Sequence, residues 1–202
     1  MANQDAPFGM GAITRTGSSF VGGVNRYYIP STNATSMAVG DPVVSAGSAD
    51  ADGVPTIARA AANDAVRGYI VGFEYDRSNE NLPNYRAAST AAYALVADDP
   101  SARIVIQASG SIAATDIGSN ADFVVVSANT VTGRSQVELD SGTVGTTATL
   151  PLKILELYPS DDNVLGANAR LICSFNTHEL KADTGSTGIQ GVDHVSERNY
   201  YN

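Results

Sequence analysis

The stretch Arg103-Ile104-Val105-Ile106-Gln107-Ala108 decides how the chain is read. Its two isoleucines sit two residues apart and so share one face of an extended strand, with Val105 and the polar ends on the other. The run stops after six residues, too short for a helix that must nucleate on its own. Runs of the same grain recur on both sides: Pro55 to Ala58, Arg67 to Tyr75 (RGYIVGFEY), Ala92 to Ala97 (AYALVA), Phe123 to Ser127, Ser135 to Leu139, Leu152 to Tyr158 (LKILELY) and Ala169 to Phe175 (ARLICSF). Eight short apolar runs separated by turn residues predict an all-β domain, a small β-barrel or sandwich. In Lys153-Ile154-Leu155-Glu156-Leu157 strict alternation would put Lys153 on the side of Leu155 and Leu157, which predicts a strand covered on both faces. The expected core is Val43, Ile57, Ile70, Val71, Phe73, Leu95, Val96, Ile104, Ile106, Val124, Val126, Ile154, Leu155, Leu171 and Ile172.

Composition agrees with this class. Across 202 residues Val (19) outnumbers Leu (10), Gly and Pro total 27, and Trp is absent, a balance that favours short strands and turns. Helical signals are slight: Ala58 to Val66 spans about two turns, and Thr115-Asp116-Ile117 offers an N-cap that Gly118 cuts short. No internal repeat is visible. The flanks have a different texture. Residues 1–25 are rich in Gly, Ser, Thr and Asn, with isolated Phe8, Ile13, Phe20 and Val21 in neither helical nor strand period, and read as an extended N-terminal arm. Residues 26–178 form the β-barrel-like domain, and 179–202, Gly-punctuated and ending near Tyr200-Tyr201, a C-terminal arm.

Charge bounds the partners. Twelve Lys and Arg face 21 Asp and Glu, a formal charge of −9, and the ten arginines are scattered, which argues against a nucleic-acid partner. No apolar run is long enough to span a bilayer and the N-terminus has no signal-peptide pattern, so no membrane partner is expected. The single cysteine, Cys173, lies in an apolar run and reads as a small buried hydrophobe.

Chemistry-bearing motifs fail one by one. There is no nucleophile elbow, no zincin pair and no phosphate-cradling glycine loop. Asp98, Asp99, His178 and His194 are the residues from which a small hydrolase or lyase would have to be built. Asp98-Asp99-Pro100 and Asp161-Asp162-Asn163 follow strands directly and read as Asx-capped turns. Ser48 to Gly53 resembles part of a calcium loop, but Ser48 holds the first ligand position and Arg59 stands where a bidentate Glu is needed. The chain is therefore expected to be no enzyme and to take no cofactor and no metal. Tyrosines at strand ends and in the arms suit interfaces, where a ring is buried and the hydroxyl stays wet; ordinary amphipathic edge residues are the other reading. With the arm residues they give an expected interface set of Phe8, Ile13, Phe20, Tyr27, Tyr28, Tyr200 and Tyr201.

Several of these stretches, in order, resemble structural proteins of tailed-phage virions. They are Asn3-Gln4-Asp5-Ala6-Pro7-Phe8-Gly9, Arg26-Tyr27-Tyr28-Ile29-Pro30, Val39-Gly40-Asp41-Pro42-Val43, Tyr69-Ile70-Val71-Gly72-Phe73, Tyr93 to Pro100, and Pro151 to Leu155 with Asp162-Asn163 and Asn168-Ala169-Arg170. Among those virion proteins the chain is most similar to the small head-decoration or cement proteins, over roughly residues 1–178. The resemblance implies a non-enzymatic β-barrel protein, made in the host cytoplasm and located on the virion. There it would bind the outer capsid surface as a homotrimer and clamp neighbouring copies of the major capsid protein. The dispersed apolar residues of the termini, which form no core of their own, separately predict a closed homo-oligomer with exchanged arms, for which the trimer is the form the resemblance implies. A carbohydrate-binding or adhesin-like β-module is the alternative, against which the lack of Trp and the scatter of Tyr count.

Overall fold

β-branched and aromatic residues in short alternating runs, each closed by Gly, Pro, Asn or Asp, leave the chain little option but strands joined by tight turns. The computed structural model describes residues 3–13, 23–75 and 83–181. In chain order the strands are β1 (Gly11–Ala12), β2 (Asn25–Ile29), β3 (Pro42–Ala49), β4 (Pro55–Arg59), β5 (Gly68–Phe73), β6 (Ala92–Ala97), β7 (Arg103–Gln107), β8 (Ser111–Ile112), β9 (Asn120–Val124), β10 (Glu138–Gly145), β11 (Leu152–Leu157), β12 (Gly166–Ala167) and β13 (Arg170–Phe175). Helix among the described residues is limited to one 3-10 turn, Ala114–Asp116. Its cap comes from Asp116, whose carboxylate accepts from the Ala113 N–H at 2.8 Å, and not from Thr115.

Strands β2, β4, β3, β5 and β6 close a barrel. Every neighbouring pair in it is antiparallel except β2 and β4, which run parallel. The remaining long strands form a sheet in the order β1-β7-β13-β11-β9-β10. This sheet curls until β10 meets the end of β7 again, through the parallel bridge Ala108 to Leu139 and the bond from Ser109 N–H to Leu139 C=O at 2.9 Å.

Leaving β1 aside, the two units have one topology. In each, the first strand pairs antiparallel with the fifth, the fifth with the fourth, the fourth with the second and the second with the third. The third then returns parallel to the first. The agreement extends to single bonds. Ile70 N–H donates to Asp41 C=O at 3.0 Å while its own carbonyl accepts from Gly40 at 2.8 Å; Ile154 does the same with Ser119 and Gly118, both at 2.9 Å. Gly40 and Gly118 take matching positive φ of 96° and 91°. A register shift follows at Ile70/Gly72 in β5 and at Ile154/Glu156 in β11. The repeat that the sequence hides is therefore present in the backbone.

Those paired bulges correct two expectations. An extra residue in one strand turns the following side chain to the other face. Val71 occupies the bulge of β5 and is 36% exposed instead of lying in the core. In β11 the bulge at Leu155 resets the alternation, so Leu152 and Ile154 are buried, Lys153 and Glu156 are exposed, and Leu157 packs against the core. Lys153 therefore does not share the face of Leu157. Of the other expected core residues, Val43, Ile57, Ile70, Val96, Ile104, Ile106, Ile154, Leu171 and Ile172 are buried. Phe73, Leu95, Val124, Val126 and Leu155 are half-buried.

Two apolar clusters result. Tyr27, Ile29, Met37, Val43, Ile57, Ile70, Ala94 and Val96 fill the barrel. The second cluster fills the curled sheet and extends onto the outside of the barrel through Ala60, Val66, Tyr69 and Ala97, so the seam between the units is itself core.

The N-terminal segment is laid on this body. Gly11 and Ala12 pair with Val105 and Ile104 of β7, Met10 N–H donates to Gly40 C=O, and Met10 and Ile13 are 2% and 3% exposed. The chain's own fold thus uses apolar residues that composition alone leaves outside it.

Candidate functional site

Six titratable groups, Tyr27, Arg67, Asp98, His178, Glu179 and Lys181, gather at one mouth of the barrel. Asp98 follows β6 and Asn25 opens β2, so the antiparallel pairing of these strands brings both side chains together. Asp98, 8% exposed, accepts from Asn25 Nδ2 at 2.8 and 3.0 Å and from the Tyr27 hydroxyl at 2.6 Å. Arg67, just before β5, donates from Nε to the Tyr27 oxygen at 2.9 Å and stands 3.9 Å from Asp98. Burial first, then the hydrogen bond to Asp98, pushes the Tyr27 phenol up to about 12.

The chain after β13 closes this mouth. Glu179 N–H donates to Val66 C=O at 3.0 Å. The Glu179 carboxylate accepts from Ser45 N–H at 2.8 Å and Ser45 Oγ at 2.5 Å, and lies 3.8 Å from Arg67 Nη1. His178, fully buried, sets its ring tilted at 53° against Phe175, 5.3 Å between centroids, and accepts from Leu180 N–H through Nδ1. Burial above all, with Arg67 and Lys181 nearby, lowers its imidazole to about 4, so it is neutral at neutral pH. Lys181 Nζ donates to Phe175 C=O.

At the barrel's other end one arginine does the closing. Arg86, 3% exposed, directs its guanidinium at the carbonyls of Thr90, Thr35, Pro30 and Asn33 and at Asn33 Oδ1, at 2.5 to 3.4 Å. These acceptors are neutral, and burial lowers its pKa. A shallow cleft at the seam, between β4 and β9, is lined by Thr35, Arg59, Phe123, Val125 and Asp140.

These groups hold chain to chain. Ser45 Oγ is bonded to Glu179 and not to an imidazole, and Asp98 is filled by Tyr27 and Asn25. Cys173 is buried, and burial raises its thiol far above the usual range. Asp99 caps a turn by accepting from Ser101 N–H. Asp50 does likewise for Asp52 and Val54, in the stretch that resembles a calcium loop. Among the described residues no three His, Cys, Asp or Glu side chains converge as a metal site would need. Asp98 and His178 do meet around Arg67; His194 lies outside the described residues.

The expected interface residues separate. Ile13 and Tyr27 are buried in the chain's own fold. Phe8 is half-buried, its ring close to Gly11 and Val105. Tyr28 is half-buried on the outer face of β2, its ring 5.2 Å from that of Tyr93. Phe20, Tyr200 and Tyr201 lie outside the described residues. Sequence reasoning missed Arg67, Arg86, Glu179 and Asn25. Arg67 stands at the head of the apolar run Gly68 to Phe73, while nothing in the sequence around Arg86 marks it.

Comparison with protein-family models, with curated proteins and with solved structures finds no match to this chain.

Proposed function

We propose that the chain is a virion structural protein that binds the outer capsid surface as a trimer and cements neighbouring major capsid proteins. The observation that supports this most is the use of its first residues. Asn3 to Phe8 run across the surface of the second unit as an extended segment, fastened by amide and backbone bonds. Asn3 alone donates to the carbonyls of Val164 and Ala167 and accepts from Val164 N–H. A chain that fastens its own terminus to a β-surface in this way has the means to fasten segments to a neighbour's, which a clamp requires. Two like β units in one chain also suit a surface made of repeated subunits. Polar side chains spent on holding termini, rather than gathered around an open pocket, fit a binding role.

The test adds purified protein to undecorated capsids and counts bound copies and the temperature at which the shell ruptures. Saturable binding with a raised rupture temperature is the expected result. No binding, or selective binding on a glycan array without capsid binding, would overturn the reading, the second in favour of the carbohydrate module.

A further inference from the structure

The repeat allows the outer faces of the two units to be compared position by position. The pairs Val105 with Ile172 and Gln107 with Arg170 in the second unit stand where the barrel has Arg26 with Leu95 and Tyr28 with Tyr93. The bulge residue Leu155 likewise matches Val71. On the second unit this face is covered by chain. Gln107 Nε2 donates to Gln4 C=O at 3.1 Å, and Ala6 N–H donates to Gln107 Oε1 at 3.2 Å. Gln107 and Ile172 on this face are 1% and 2% exposed.

On the barrel the described residues leave the matching face uncovered. Val71 is 36% exposed, Tyr28, Tyr93 and Leu95 are half-buried, and no described segment crosses them. The Arg26 guanidinium lies 3.6 Å over the Tyr93 ring and pairs with Glu74 at 2.8 Å, giving the patch a polar border. We infer that residues 182–202 of the same chain dock on this face, as residues 3–8 dock on its counterpart.

Three observations select this occupant. The described chain ends at Lys181, two residues after Glu179, whose carboxylate sits with Arg67 beside Tyr27, Asp98 and Asn25. The last described residues therefore lie at the mouth where β2 begins with Asn25, and Arg26, the next residue of that strand, borders the uncovered face. The 21 residues that follow, counted as 202 − 181, reach up to about 70 Å when extended, several times the width of a five-residue strand face. Their composition also fits. Ile189, Val192, Val195, Tyr200 and Tyr201 are spaced among small polar residues, as Pro7 and Phe8 follow Asn3, Gln4 and Asp5. Tethering makes the contact intramolecular, at an effective concentration on the order of millimolar.

The test uses thiol labelling of the full chain without any shell, so its outcome is independent of capsid binding. Val71→Cys places a thiol on the face, while native Cys173, at 0% exposure, stays silent unless the protein unfolds. Val131, 92% exposed on the β9–β10 turn, supplies a control as Val131→Cys. Each is labelled with a neutral maleimide in the natural chain and in one whose Ile189, Val192, Val195, Tyr200 and Tyr201 are replaced by Ser. The expected result is labelling of Val71→Cys about tenfold faster or more with the substituted tail, as access governs the rate, with Val131→Cys and Cys173 unchanged. Equal rates at Val71→Cys would overturn the inference. So would protection that grows with protein concentration, which would assign the face to a second copy's tail.

Discussion

His178 shows how one buried side chain ties the chain's last described turn to solution conditions. Its imidazole is flanked by Arg67, Lys181 and Asp98, with Glu179 adjoining, and titrates at about 4, against 6.5 in an unfolded chain. Because the unfolded state takes up the proton first as pH falls, stability is complete above about pH 6.5 and is lost as pH drops toward 4. The full difference amounts to at most about 3 kcal/mol. His178→Asn keeps an acceptor for the Leu180 N–H and removes the titration. Its unfolding free energy, measured in urea between pH 7 and pH 4.5, is expected to fall less steeply than that of the natural protein. Equal slopes would show that His178 is not the group responsible. Asp98 and His178 were visible in the sequence as isolated ionisable residues, but the Arg67 between them was not. Three separate strand ends bring these residues together, and no local spacing encodes such a meeting.

Among elements, the strands were legible and their faces less so. Ile104 and Ile106 announce β7 because alternation and burial agree there. Val71 and Leu155 mislead because a bulge breaks the period of two, and nothing in either residue marks it. The N-terminal segment was misjudged for a related reason. It is held by backbone pairing, by Asn3 and Gln107 amides, and by single apolar residues, none of which makes a periodic pattern. Its fit on the body turns on Gly9, at φ 77°, where an added Cβ would lie 2.5 Å from Ser135 Cβ and 2.6 Å from Gly40 O. Gly47 has nearly the same φ, 76°, but nothing within 4 Å of such a Cβ. Gly47→Ala should therefore cost only the left-handed backbone penalty, about 1 kcal/mol. Gly9→Ala adds a backbone and side-chain clash and should cost about 3 kcal/mol or detach the segment. Amide exchange of residues 3–13 reads the difference: faster exchange in Gly9→Ala alone is expected, and equal behaviour of the two variants would mean the segment is not seated as described.

For the whole molecule the question is why two units of one topology behave as one body. The repeat resides in hydrogen bonds and bulges, which tolerate almost any side chain, so Tyr28 can stand opposite Gln107 in the comparison without disturbing either ladder. That freedom lets the units diverge where they meet. Tyr69 of β5, paired with Ala97, belongs to the cluster of the curled sheet, whereas its counterpart Lys153, paired with Ser174, is exposed. One copy of the position seals the seam and the other faces water, so this packing does not propagate to a third unit. Tyr69 is 2% exposed, and its hydroxyl finds no hydrogen-bond partner among the described residues; burial alone pushes it up to about 12. Removing that hydroxyl with Tyr69→Phe should be neutral or stabilising by about 1 kcal/mol, since the desolvation cost disappears with no bond lost. Tyr69→Ala should cost about 3–5 kcal/mol by opening a cavity between the units. Because the seam is core to both, exchange of the slowest amides in β2 and β6 should accelerate together with those in β11 and β13. Acceleration confined to the barrel would mean that the two units unfold separately and that the seam is a contact between neighbours, not a shared core.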